Sequence, residues 1–332
     1  MNRVKKIRLV LFGFGTVGQA VYELLTTERS RILGVVNQSA DQLQDKVDYD
    51  IVSIVVRDVE KYQAEFSHIS HLFTTEWPFE ADYDLAIELV SSAAGGDIIA
   101  QALKSGKDVV SANKLALYQS AGQLEALANE HGRILRYEGA VAGAIPILQI
   151  ISPLGSGEIQ LIRGILNGST NYILTRLFED SELSVEDAIA EASKKGYLEA
   201  DPTLDVGGFD ALYKLGILTY MATGQYPAES DIERIGIDTL TDEAIAEAKS
   251  ANKTYKLVAE ADFKTGRYRV TPQLLASTDP LYGVDGSLNA VTLTHQYAGE
   301  LTLQGPGAGG LETASAVISD LIYIMRERVH NE

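Results

Sequence analysis

A chain of 332 residues, 45% apolar and 22% charged, is long enough for two domains with cores of their own. Its formal charge, 28 − 46 = −18, argues against nucleic acid or an anionic membrane as a partner. The absence of cysteine excludes disulfides, thiolate metal sites and any cysteine nucleophile. The five histidines are scattered, and His68 and His71 read as a surface pair. The basic start leads into an apolar run too short for a signal peptide or a membrane span. A cytoplasmic enzyme or binding protein fits these totals.

Ile7 to Phe12 reads as a buried strand, followed at once by Gly13-Phe14-Gly15-Thr16-Val17-Gly18 and an amphipathic helix from Val17 to Leu25. A glycine motif between strand and helix has the context of a dinucleotide loop. Gly13 permits the turn, Gly15 admits a pyrophosphate, and Gly18 lets helix and strand approach, with Thr16 and Val17 opening the helix whose N-terminus faces the phosphates. For the second strand, residues 50–56 are preferred over 32–36. That choice puts Arg57 where the adenosine ribose is read, either as a 2′-phosphate ligand selecting NADP or as a plain strand-end charge.

The pattern repeats: strand 85–90 ending at Ser91 and Ser92, helix 95–103, strand 108–110 ending before Lys114, helix 121–129, and strand 134–137 ending at Glu138. Alternating strands and helices imply an α/β, Rossmann-type doubly wound parallel sheet, with ligands beyond the carboxyl ends of its strands. Ser91, Ser92, Lys114 and Glu138 all fall at such ends.

The texture changes after residue 137, where Glu138 to Pro146 forms a small-residue loop. Such a loop is either tight packing or a set of carbonyls able to cage a hard cation. The expected division is a nucleotide-binding domain, 1–137, completed by 305–332, and an α+β substrate-binding, catalytic and dimerisation domain with a mixed sheet, 138–304. In the latter, strand 159–166 precedes a polar turn and a helix from Tyr172, and Ser184 caps a helix ending before Gly196. Two hairpins follow, 255–263 with 267–275 and 288–296 with 300–303, whose apolar strands suggest a homodimer face. The glycine turn 305–310 leads to an apolar helix, 313–325, that returns to the first domain.

Between these lies Glu-Ala-Asp-Pro-Thr-Leu-Asp-Val-Gly-Gly-Phe-Asp-Ala-Leu-Tyr-Lys, residues 199–214. Asp205 is placed to cap a helix in which Asp210 and Lys214, four apart, share a face. Spacing alone describes a surface ion pair. Gly207 and Gly208 at the helix start imply that something approaches the backbone, and the apolar continuation to Met221 suggests a cleft wall.

This segment resembles the signature of homoserine dehydrogenases. The likeness continues in Gly-Phe-Gly-Thr-Val-Gly, Ser-Ala-Asn-Lys, Tyr-Glu-Gly-Ala-Val-Ala-Gly-Ala-Ile-Pro, Leu-Asn-Gly-Ser-Thr-Asn-Tyr-Ile-Leu, Gly-Tyr-Leu-Glu-Ala-Asp-Pro and Gly-Pro-Gly-Ala-Gly. Gly139, Ser169 and Glu312 depart from the usual Ala, Thr and Pro, and none is a catalytic group. The resemblance implies NAD(P)-dependent interconversion of L-homoserine and L-aspartate 4-semialdehyde. In it Lys214 is the general acid/base, Lys114 a second lysine over cofactor and substrate, and Glu199 and Asp210 bind substrate. Gly196, Gly307 and Gly309 approach the cofactor, with NADP favoured over NAD through Arg57. A monovalent cation, Na+ or K+, is implied on the carbonyls of Val141, Gly143 and Ile145 with Glu138. Many members carry a C-terminal regulatory module of the ACT type; a short form without one is expected here. Aspartate semialdehyde dehydrogenase is excluded because its acyl-enzyme route needs a cysteine. Another two-domain reductase of an amino-acid precursor and a non-enzymatic NAD(P)H sensor are the alternatives.

Overall fold

The computed structural model describes residues 3–38, 45–78, 83–198 and 201–330. In chain order its main elements are β1 (Arg3–Phe12), α1 (Thr16–Thr27), α2 (Arg29–Val36), β2 (Asp45–Val55), α3 (Val59–Glu65), β3 (Phe73–Thr74), β4 (Leu85–Glu88), α4 (Gly95–Lys104), β5 (Asp108–Ser111), α5 (Lys114–Glu130) and β6 (Leu135–Arg136). There follow α6 (Ile147–Ile151), β7 (Ile159–Ile165), α7 (Gly168–Glu179), α8 (Val185–Lys194), α9 (Thr203–Val206), α10 (Phe209–Thr223), β8 (Ile232–Arg234) and α11 (Asp242–Ser250). The chain closes with β9 (Thr254–Asp262), β10 (Arg267–Leu275), β11 (Leu288–His295), β12 (Gly299–Pro306) and α12 (Gly310–His330).

Two compact units result, residues 1–140 with 309–332, and residues 141–308. The divides fall at 140/141 and 308/309, a few residues beyond 137/138 and 304/305. The short helical turn Glu138–Ala140 packs on α12 within the first unit, while β12 runs on to Pro306 within the second.

The first unit is built on a six-stranded parallel sheet in the order β3-β2-β1-β4-β5-β6. β4 and β5 are buried throughout, as expected of strands with helices on both faces. Leu9, Leu11, Leu85, Ile87 and Val110 share a core with Ala314, Val317, Leu321 and Ile324 of α12. The last helix therefore belongs to the first core. Polar ties fix it there: Arg326 donates to Val35 O, and Arg328 donates to Asp108 Oδ2 and to Asp84 O. Side chains that join residues about 200–300 apart in sequence leave no local signal in the chain.

The second unit carries a mixed sheet in the order β12-β11-β7-β9-β10-β8, antiparallel except for β10 beside β8. The two expected hairpins are β9–β10 and β11–β12. Lys256 of β9 is fully buried and donates to Val284 O, Asn171 Oδ1 and Asp285 Oδ1, tying the long loop before β11 to the sheet. Burial lowers its pKa, against Asp285, which raises it.

Three helix starts differ from the sequence reading. Asn113 caps α5, accepting from Ala116 N, so the helix begins at Lys114 rather than Ala121. Asn167 likewise caps α7, accepting from Thr170 N, so that helix begins at Gly168 rather than Tyr172. Asp205 does not cap α10: it lies inside the single turn α9, and Gly208, at φ 81°, holds the cap position. At α7 the polar first turn Gly-Ser-Thr-Asn hid the start from a search for apolar periodicity; at α5 the capping asparagine and Lys114 look like a strand-end loop, and at α10 the single turn α9 intervenes.

Candidate active site

In the glycine loop each glycine has a separate steric reason. Gly13 has φ 98°, and a Cβ there would meet Leu89 O at 2.9 Å; its N–H donates to Val55 O at 3.0 Å. A Cβ on Gly18 would lie 2.5 Å from Gly13 O, so helix and turn touch only without a side chain. Gly15 is exposed with open space around it, and as N-cap of α1 it supplies no side-chain cap. The first-turn N–H groups of α1 are thus left for an anion, which fits a dinucleotide pyrophosphate.

Phe14 and Val17 turn their side chains towards the core. The Phe14 ring is buried edge-on among Tyr22, Tyr62, Phe66 and Phe73, at centroid distances of 5.1–5.9 Å, and Val17 packs against the same core. Thr16 is exposed. Arg57, also exposed, stands two residues beyond Val55, the partner of Phe12 in the register of β1 and β2. The neighbouring acid, Asp58, is engaged at the start of α3, where it accepts from Lys61 N at 3.0 Å. His68 and His71 are exposed.

Beyond β4 and β5, Ser91 and Ser92 are exposed, while Lys114 is half-buried in the first turn of α5 rather than in a strand-end loop. The sequence reading missed what lies behind them. Glu88, the last residue of β4, is fully buried and accepts from Val90 N (2.8 Å), Ser111 Oγ (2.6 Å) and Asn113 Nδ2 (3.3 Å). Burial pushes its carboxyl up to about 7 against these three hydrogen bonds. A glutamate ending the otherwise apolar strand Leu-Ala-Ile-Glu was the available signal.

Glu138 is buried in the first unit, where its N–H donates to Asp320 Oδ2 at 2.6 Å; Asp320 also receives Arg136 Nε. The loop 141–145 opens the second unit. Ala142 (φ 57°) and Gly143 (φ 59°) are successive left-handed residues, a conformation that turns neighbouring carbonyls and N–H groups to different sides. Among the described residues no backbone N–H donates to the carbonyl of Val141 or Gly143, whereas that of Ile145 accepts from Ile147 N. No cluster of three or more His, Asp or Glu side chains able to hold a metal ion occurs among the described residues.

Gly307 is a glycine for packing: a Cβ would overlap the buried side chain of Asn289. Gly309, exposed at φ 134°, leaves room for the carboxylate of Glu312 in the first turn of α12. An acid there is favoured by the helix dipole, which accounts for Glu312 at that position. Gly196 is exposed with φ 79°.

The second unit holds the lysine. Lys214 and Asp210 lie one turn apart on α10, with Nζ 2.8 Å from Asp210 Oδ2 and 2.8 Å from Leu166 O. Their side chains are only 12% and 6% exposed, so this is no surface ion pair. Asn167 completes the group, donating to Asp210 Oδ2 (3.0 Å) and Asp205 Oδ1 (2.6 Å) while its Oδ1 caps α7. Asn167 was not singled out from the sequence, and Asp205 only as a helix cap, since the bonds from Asn167 to Asp210 and Asp205 span 43 and 38 residues. Glu199 lies outside the described residues.

The backbone glycines beside this group answer to the protein itself. A Cβ on Gly236 would meet Gly207 Cα at 2.8 Å, and Arg234 donates to Gly207 O while its guanidinium lies 3.6 Å over the Phe209 ring. What approaches Gly207 is the chain's own return through residues 234–236.

Residues 13–138 match the family model of the homoserine dehydrogenase NAD-binding domain, and residues 146–322 match that of homoserine dehydrogenase. The chain belongs to the homoserine dehydrogenase family. It is 34% identical to the homoserine dehydrogenase of Bacillus subtilis, over 97% of this chain and 74% of that protein. The crystal structure of a homoserine dehydrogenase from Thiobacillus denitrificans superposes with a TM-score of 0.89 at 30% identity, covering 100% of this chain and 76% of that one. A hyperthermophilic archaeal homoserine dehydrogenase mutant in complex with NADPH gives 0.80 at 29% identity, covering 97% and 98%. As a member of the family the protein is an NAD(P)-dependent oxidoreductase acting on the CH–OH group of homoserine.

Proposed function

We propose that Lys214 is the general acid/base of homoserine oxidation and aldehyde reduction, and that Asp210 and Glu199 grip the substrate. The observation that carries this reading is the secluded Lys214–Asp210–Asn167–Asp205 group at the start of α10. The nicotinamide, when bound, supplies or accepts the hydride. In the reducing direction protonated Lys214 gives its proton to the aldehyde oxygen; in the oxidising direction the neutral amine takes it from the hydroxyl. Leu166 O and Asp210 restrict where Nζ can reach, which narrows the geometry of that exchange. Asn167 holds Asp210 and Asp205 through one amide, so the carboxylates keep their spacing whether or not substrate is present.

In the first unit the open loop at Gly15 takes the pyrophosphate, Ser91, Ser92 and Lys114 line the ends of β4 and β5, and Arg57 reads the 2′-phosphate of NADP. The occupation of Asp58 in capping α3 supports NADP over NAD, since the ribose 2′-hydroxyl of NAD is usually read by a free acid. The resemblance gives Gly196, Gly307 and Gly309 to the cofactor; the exposed Gly196 and Gly309 fit that reading, while Gly307 is spent on packing against Asn289. The carbonyls of Val141, Gly143 and Ile145 would hold a monovalent cation, to which the resemblance adds Glu138; the left-handed pair Ala142–Gly143 supports it. A homodimer is part of the same reading. The apolar residues of β9 and β11 are spent on the unit's own core, so its support is the exposed outer strand β12. Among the described residues no helix is long and apolar enough to cross a membrane. We place the protein in the cytoplasm on its amino-acid chemistry.

The test is substrate kinetics. Asp210→Ala should raise KM for L-homoserine by about tenfold or more, with the nucleotide KM little changed; an unchanged KM for homoserine would remove Asp210 from the substrate site.

A further inference from the structure

Glu88 has a cost that its surroundings must justify. A carboxylate buried without a cation is expensive, and an apolar side chain at the end of β4 would avoid that cost. Yet the fold makes room for it: a Cβ on Gly95 at the start of α4 would come within 2.5 Å of Glu88 Oε1 and would overlap Asn113 Nδ2. What the carboxylate holds is specific. Through Val90 N it fixes the turn after β4, and through Ser111 Oγ and Asn113 Nδ2 the turn after β5. Asn113 Nδ2 also donates to Ser92 O at 2.7 Å, and its own N–H donates to Ser111 Oγ at 3.1 Å, so the two turns form one network. Asn113 is the cap of α5 and is bonded directly to Lys114 in the chain. Any slack in Asn113 is passed on to the lysine.

We propose that Glu88 is a positioning residue for the reaction, clamping the turns after β4 and β5 so that Lys114 is presented in one orientation at the start of α5. The inference rests on the reading of Lys114 as the lysine over cofactor and substrate. Glu88 has no exposure and does not itself meet either. Its effect passes through Asn113: replacing one carboxylate oxygen by an amide sets an N–H against donors that all point at it, and the clamp loosens. The raised carboxyl pKa agrees with a site held by neutral donors alone.

The experiment is a double-mutant cycle between Glu88→Gln and Lys114→Met, with Ser111→Ala as a milder break in the same network. Glu88→Gln should lower kcat by about tenfold, because small displacements of a working group are costly, while the NADPH dissociation constant, read by fluorescence titration, shifts by less than about threefold. Ser111→Ala should show the same split at about threefold, and remains informative if Glu88→Gln folds poorly. On the Lys114→Met background both losses should shrink to less than about twofold, because the residue they act through is gone. Full multiplicative losses on that background, or unchanged kcat in both Glu88→Gln and Ser111→Ala, would overturn the proposal while leaving Lys114 in its role. Wild-type turnover by Lys114→Met would overturn the role of Lys114, and the proposal with it.

Discussion

Glu88 and Asp210 are both carboxylates with almost no exposure, one in each unit, and they are held in opposite ways. Asp210 faces an ammonium group at 2.8 Å, whereas among the described residues Glu88 meets a backbone N–H, a hydroxyl and an amide. Where burial is offset by an opposite charge, the pair can keep its charges and offer one of them to a reaction. Where it is offset by neutral donors, the carboxyl is pushed up, here to about 7, and its value lies in the groups it ties together. A shifted pKa by itself would single out Glu88 as the proton carrier. Access decides otherwise, since Lys214 keeps 12% of its side chain exposed and Glu88 keeps none.

The largest expected effect tests the charged group. Lys214→Ala should lower kcat by about 10²-fold or more, the usual scale for losing a general acid/base, with NADP(H) binding largely kept. Steady-state kinetics beside a binding titration would check it, and turnover near wild type would move the proton role to Lys114. A smaller effect is expected beyond the end of β2 in the first unit. Arg57→Ala should weaken NADP(H) by about tenfold, the scale of one charge-assisted contact to phosphate, and leave NAD(H) nearly unchanged; equal losses would show that Arg57 reads no phosphate.

The smallest effect concerns Glu88 itself. Its carboxyl holds its proton up to about pH 7 in the fold, against an ordinary value of 4.5. The native state therefore binds a proton that the unfolded chain has already released. The stability from that proton is complete below about 4.5 and is lost as pH rises through about 7. Thermal unfolding of the wild type should accordingly fall more steeply than that of Glu88→Gln between about pH 5 and 7.5. Parallel curves would mean that the hydrogen bonds from Val90, Ser111 and Asn113 outweigh burial.

The sequence by itself determined the parallel sheet, the glycine loop, the two hairpins and the Asp210–Lys214 face. Each is encoded locally, in runs of apolar residues, in Gly-x-Gly-x-x-Gly between a strand and a helix, or in a four-residue helical spacing. Helix starts at Asn113 and Asn167 were less legible because a capping asparagine looks like a loop residue until its hydrogen bond is seen. Only the tertiary structure decided that Phe14 turns its ring into an aromatic core and that Gly207 is crowded by residues 234–236. It alone joined Asn167 to Asp205 and Asp210, and Glu88 to Ser111 and Asn113. Those bonds span 23 to 43 residues. Nothing in the local pattern distinguishes such a polar residue from one that faces water; burial and partner geometry, set by how distant strands and helices meet, make the difference.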